Sequence, residues 1–160
     1  MDERKLSNLV LENVRIIFRN FSGEEGKYNR AGDRNFCALI SSSEVAQELL
    51  ADGWNVKILA PRDPEDEPSY YIPVSVSYKN YPPKLYLVTK RTKTLLTEDT
   101  VGTLDFAELV NCDLEIRPYS WEVNGKTGVK AYLKSGYFTI EEDVFASKYA
   151  DEEYPGEVPF

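Results

Sequence analysis

NCDLEIRPYSWEV, residues 111–123, is followed by Asn124-Gly125 and then by KTGVKAYLKSGYFTI, residues 126–140. Asn-Gly between two such runs signals a β-hairpin, because both central residues of a type I′ turn need positive φ. Strand side chains alternate between two faces, so the hairpin divides by parity. On the first strand Leu114 and Ile116 share one face, and Arg117, Tyr119 and Trp121 the other. On the second, Val129, Ala131 and Leu133 oppose Lys126, Lys130, Tyr132 and Lys134. A two-residue turn sets Tyr119 opposite Lys130 and Arg117 opposite Tyr132; a four-residue turn changes the partners and keeps the parity. Either way Arg117, Tyr119, Trp121, Lys130, Tyr132 and Lys134 lie on one surface, with Glu115 placed to pair with Lys134.

Outward from the hairpin, the chain reads as further strands. VLENVRIIFRNF (10–21) alternates, with Val10, Val14, Ile16 and Phe18 on one side and Arg15 and Arg19 on the other. A glycine-rich charged loop (22–34) leads to a strand at NFCALIS (35–41). Serines 41–43 offer a helix N-cap, Val45, Leu49 and Leu50 recur at helical spacing, and Gly53 stops the helix. WNVKILA (54–60), YYIPVSVSY (70–78) and KLYLVT (84–89) read as strands, and 97–109 as a short helix or a turn. About seven strands, one helix and long loops predict a mainly β fold, an OB-type small barrel with a plain sandwich as runner-up. Residues 1–140 form the expected domain and 141–160 an acidic tail.

Composition limits the chemistry. The chain has 160 residues, no histidine and two cysteines, Cys37 and Cys112, each in an apolar strand-like run. The cysteines read as buried thiols of a reducing compartment. Without histidine or a close cysteine pair, no zinc site and no Ser-His or Cys-His nucleophile is expected. No cofactor and no catalytic activity are expected. No apolar run is long enough to cross a bilayer and no secretory leader is seen, so a cytoplasmic protein is expected, monomeric or homodimeric.

The net charge of −8 is unevenly spread. Residues 141–160 carry −6 and the first 140 only −2, four of whose acids crowd into PRDPEDEP (61–68). The remaining body is nearly balanced and can carry a basic face, so a nucleic-acid partner is compatible with the total.

Rings interleaved with Lys and Arg on one sheet face suit an unpaired polynucleotide, because bases stack on the rings and cations follow the phosphates. The ordinary alternative is that exposed strands favour Tyr, Trp and Lys, and cross-strand cation–aromatic pairs steady a hairpin. Arg15, Arg19, Lys27, Arg30 and Arg34, with Tyr28 and Phe21 for stacking, could extend the groove, as could Lys90, Arg91 and Lys93. Gly125-Lys126-Thr127 is not a phosphate loop: Ser120 stands where the motif needs glycine, and the triplet sits in a hairpin turn. The acids of PEDEP lack calcium-loop spacing and read as solvated. Glu98-Asp99 carries no separate catalytic signal.

DEEYPGEVPF (151–160) sets acids against a terminal Val-Pro-Phe. Asp151, Glu152, Glu153, Glu157, Pro159 and Phe160 resemble the tips of bacterial and phage single-stranded DNA-binding proteins, acidic and closed by Pro-Phe. The body, in NVRIIFRNFSG and NGKTGVKAYLKS, is similar to small phage OB-fold single-strand binders. PRDPEDEP is more acidic, and GEVPF less densely charged, than that family's pattern. The resemblance implies a non-enzymatic, sequence-nonspecific single-stranded DNA binder of phage replication, recombination and repair. It also implies a host-cytoplasmic location and a tail that recruits replication or recombination proteins through Phe160 and can compete for the groove. The alternatives are an acidic inhibitor that mimics DNA and a structural or carbohydrate-binding β domain of a virion.

Overall fold

The computed structural model describes residues 6–27, 29–79 and 81–141. Among the described residues there are nine strands: β1 (Leu9–Leu11), β2 (Ile16–Asn20), β3 (Arg34–Ile40), β4 (Lys57–Leu59), β5 (Ser69–Val76), β6 (Lys84–Val88), β7 (Lys93–Leu96), β8 (Leu109–Val123) and β9 (Lys126–Ile140). One α-helix, α1 (Ser43–Ala51), and a 3₁₀ turn (Val101–Asp105) complete the regular structure.

The sheet path runs β1-β8-β9-β5-β3-β2, with β4 on β5, and β6 beside β9 carrying β7. The two ends of this path belong to one stretch of chain. Residues 9–20 are not a single strand, contrary to the alternation: Asn13 turns to a φ of 56° and divides β1 from β2. Val14 N–H donates to Cys112 O at 3.0 Å, and Leu39 N–H to Arg15 O at 2.9 Å, so the stretch crosses from β8 to β3. Its two halves draw the sheet's ends together, which gives the OB-type barrel.

The interior is aliphatic and aromatic. Phe21 stacks on Phe36 with centroids 5.0 Å apart and meets Phe138 edge-on at 5.7 Å. Ile72, Val74, Leu85, Leu114 and Ile116 are buried around them. Phe21 is therefore core and not a stacking surface, whereas Val10 and Phe18 are exposed.

Sequence signals explain most boundaries. Ser42 caps α1, its hydroxyl accepting from Val45 N–H at 3.3 Å, and Gly53 follows the helix at a φ of 97°. Ala46 and Leu49 face the core, leaving Val45 and Leu50 exposed. The strand read at 54–60 shortens to Lys57–Leu59, because Trp54 is buried beside β9. Lys93, read as loop, opens β7.

The 3₁₀ turn is tied to the chain after β2 by charge. Asp105 accepts from Phe21 N–H at 2.6 Å, Ser22 N–H at 3.1 Å and the Ser22 hydroxyl at 2.6 Å. Arg19 answers from β2, its Nη1 donating to Leu104 O at 2.8 Å and Ala107 O at 2.7 Å. Among the described residues, no helix is long and apolar enough to cross a membrane. Replacing Asp105 by alanine leaves two backbone N–H groups without their acceptor. The substitution should lower stability by about 1–3 kcal/mol. A fall in the urea midpoint at unchanged slope will show it.

Candidate nucleic-acid interface

Asn124 and Gly125 take φ of 52° and 79°, the two positive values of a type I′ turn. The register is the one a two-residue turn imposes: Trp121 faces Gly128, Tyr119 faces Lys130 and Arg117 faces Tyr132. Leu114, Ile116, Val129, Ala131 and Leu133 point inward and are buried. The ringed, cationic set is left outside.

Tyr119, Tyr132, Lys130 and Arg117 of that set are in contact. Tyr119 and Tyr132 meet edge-to-face at 6.1 Å. Lys130 Nζ lies 5.0 Å from the Tyr132 centroid, and the Arg117 guanidinium 5.9 Å from the same ring. Arg117 also sits 4.6 Å from the Tyr81 centroid. Tyr119 is 57% exposed and Trp121 39%, so both have open surface for a ligand.

The face continues across the barrel. One outward row runs Asn20, Asn35, Ser75, Tyr132, Arg117 through five strands, each neighbouring pair in register. Two hollows lie along it. The larger, about 670 Å³, is walled by Arg30–Asn35, Ser77–Lys79 and Glu98, with Ser75, Lys130 and Tyr132 on its sheet side. The smaller, about 450 Å³, lies toward Trp121 and shares Ser75 and Lys130 with the first. Together they form one groove.

In the larger hollow Arg34 Nη1 pairs with Glu98 at 3.3 Å, and its guanidinium lies 5.5 Å from the Tyr78 centroid. Arg34 Nε and the Tyr78 hydroxyl are buried and have no hydrogen-bond partner among the described residues. Burial pushes the Tyr78 phenol up, against the pull of Arg34, so it stays a neutral donor. Arg30 pairs with Asp33 at 3.3 Å on the same wall.

The other expected residues divide. Lys134 is the extra residue where the β8–β9 register shifts, and its Nζ reaches Glu115 at 3.5 Å. A hydrogen bond from Asn8, with Lys134 and Ser135 behind it, holds the Glu115 carboxyl below the usual range. Arg15 is exposed at a different hollow, beside Glu44 and Glu67. Arg19 is spent on the carbonyls of Leu104 and Ala107 and does not join the groove residues. Lys27 is exposed in the loop before β3; Lys90 and Arg91 are exposed in the β6–β7 turn. Tyr28 and the tail residues Asp151, Glu152, Glu153, Glu157, Pro159 and Phe160 lie outside the described residues.

Sequence reading missed a second cluster. Tyr86 and Tyr137 stack at 5.0 Å, and Lys93 Nζ lies 4.9 and 5.7 Å from their centroids. The bulge at Lys134 reverses parity, which turns Tyr137 outward and Phe138 inward. Tyr78 was also missed, because it shares the parity of Ile72, Val74 and Val76 and reads as core, and so was Tyr81, because a loop ring carries no periodicity. No group of three or more metal-ligating side chains occurs among the described residues.

A family model described as "Putative phage ssDNA-binding domain" matches residues 1–157. Among solved structures, the chain is similar to the single-stranded DNA-binding protein from bacteriophage Enc34 in complex with ssDNA, with a TM-score of 0.57 and 13% identity over 85% of this chain and 88% of that one. A C-terminal truncation of the Enc34 protein gives 0.56 and 13%, over 85% and 87%. A third Enc34 structure gives 0.55 and 13%, over 90% of each chain. At such identity the likeness is one of fold. No curated protein matches the chain.

Cysteine chemistry checks the two faces. Cys37 is half-buried between Ile17 and Pro73, while burial pushes the Cys112 thiol up to about 12. At pH 8 iodoacetamide should modify Cys37 slowly and Cys112 only after denaturation, as read by intact mass.

Proposed function

The chain belongs to the phage single-stranded DNA-binding domain family, and we propose from that premise that it binds single-stranded DNA without sequence preference through the β8–β9 face and its groove. The observation that carries the reading is Tyr132, a ring flanked by Lys130 and Arg117 and touching Tyr119. Stacking contributes roughly 1–3 kcal/mol per base, and every base has a face to stack. Lys130 and Arg117 stand beside the rings, where the phosphates between stacked bases pass. These interactions discriminate little between bases, so the affinity follows strand length and salt more than sequence.

The Enc34 protein, which shares the fold, has been seen with ssDNA. That supports the reading for this chain, as does the family match. Replication, recombination and repair of phage DNA in the host cytoplasm are the settings where unpaired strands need such cover. The acidic segment with Asp151, Glu152, Glu153, Glu157, Pro159 and Phe160 recruits the partner proteins of those processes.

Titration with a dT oligonucleotide at two salt concentrations tests the reading. Binding should quench tryptophan emission, and log K should fall with log salt. Tyr132→Ala should weaken binding by about tenfold, and Arg117→Ala should reduce the salt slope by about 1. Absence of binding at low salt, or salt-insensitive binding of a glycan instead, would end the proposal. Deleting 151–160 should abolish capture of replication proteins and leave ssDNA affinity equal or higher; a clear loss of ssDNA affinity contradicts the role given to the tail.

A further inference from the structure

We propose that the smaller hollow, beside Trp121, is a slot for one nucleobase of the bound strand; the inference rests on the single-strand-binding reading above. Trp121 faces Gly128 across the hairpin. A Cβ on residue 128 would fall 2.6 Å from Trp121 Cζ2 and 2.8 Å from Cε2, so the indole occupies the place any side chain there would take. Glycine inside a strand weakens it and often marks a close approach. Covering it with a cross-strand aromatic repairs part of that cost. Shielding alone, however, does not explain the cavity beside the ring.

The cavity has a local cause. β5 and β9 pair only over Val74 and Ser75. Pro73, just before, has no N–H to offer a ladder. The chain after α1 takes the place on β9 that β5 leaves: Val129 N–H donates to Gly53 O at 3.0 Å, and Trp54 pairs beside Val129. Between Pro73 and this segment lies a space of about 450 Å³ that Trp121 and Gly128 border.

Its chemistry is that of a base site. The indole offers a surface for stacking. Asn55 and Ser75 line the space, and their side chains make no hydrogen bond among the described residues, so their donors and acceptors are open to a base edge. Among the described residues Lys130 is the sole charged one lining it, and it also lines the larger hollow. No carboxylate of the described residues lines it to repel the adjoining phosphate. A flat ring with a polar edge and one nearby anion fits these groups, and a bare phosphate chain does not use them.

The test compares a dT oligonucleotide with an abasic deoxyribose-phosphate strand of equal length, using the full chain and fluorescence anisotropy. Gly128→Ala should weaken dT binding about tenfold and Asn55→Ala about fivefold, with abasic binding unchanged within about twofold. Trp121 is 39% exposed and Trp54 only 4%, so the emission quenched by dT should come from Trp121 and shrink in Gly128→Ala. Thermal melts followed by circular dichroism verify folding; Asn55, exposed in a loop, keeps the test available if Gly128→Ala melts early. Wild-type dT affinity in both variants, with Tyr132→Ala still weakened, overturns the slot and leaves the binding face standing. Equal losses on dT and abasic strands also overturn it, since the variants would then disturb the backbone path. A wild-type protein that ignores dT removes the slot together with the reading beneath it.

Discussion

The two-residue turn at Asn124-Gly125 locks β8 against β9, and Tyr119, Trp121 and Tyr132 owe their positions to that register. A slip of one residue along either strand would send Tyr119 and Trp121 inward and Leu114 and Ile116 into water. Fully burying each such aliphatic side chain is worth roughly 1.5–3 kcal/mol, so the inner face resists the slip strongly. The outer face needs no stabilising contacts of its own to be held in place. Stability and ligand chemistry therefore sit on opposite sides of the same two strands, and the outward side chains can be chosen for binding.

Departures from regular pairing do the rest of the shaping. At Lys134 one extra residue bends β9 and reverses its parity, bringing Tyr137 against Tyr86 under Lys93. Between Ile17 and Asn20 the β2–β3 register shifts, and Phe18 sits there at a φ of 52°, exposed and edge-on to Tyr71. For a bulky aromatic that backbone conformation is an outlier held by its surroundings. Pro73 ends the β5–β9 ladder early. Each interruption lies where the outer surface gains a ring or a hollow. A uniform ladder would give the same core and a flatter exterior.

The hairpin, its turn, its two faces and the capped helix were legible because each depends on residues near in sequence. Alternation is local, and so is Ser42 before α1. What failed to show depends on distant partners. The run 10–21 keeps its alternation straight through Asn13, although tertiary bonds to Cys112 and Leu39 require a break there. Arg19 looked like any outward cation, and only the 3₁₀ turn, more than eighty residues on, gives its guanidinium two carbonyls. Tyr137 was hidden by a bulge that parity counting cannot see. On the groove's wall, Tyr78 keeps the parity of the buried Ile72, Val74 and Val76, and Tyr81 comes from a segment whose sequence has no period at all.

An acidic chain can still hold an anionic ligand on this face, because the carboxylates nearest the groove already have partners. Asp33 is engaged by Arg30, Glu98 by Arg34, and Glu115 by Asn8, Lys134 and Ser135. Those pairs also occupy three of the cations. Arg117 and Lys130, by contrast, make no ion pair among the described residues and rest against tyrosine rings. A ring neither neutralises a cation nor has to be displaced by an arriving phosphate, whereas at Arg34 a phosphate must compete with Glu98. The cations open to phosphate are thus few, and each phosphate bound releases only its own condensed counterions. On the proposed reading, stacking supplies the larger share of the affinity, and the salt dependence is that of a few phosphate contacts rather than of a basic channel.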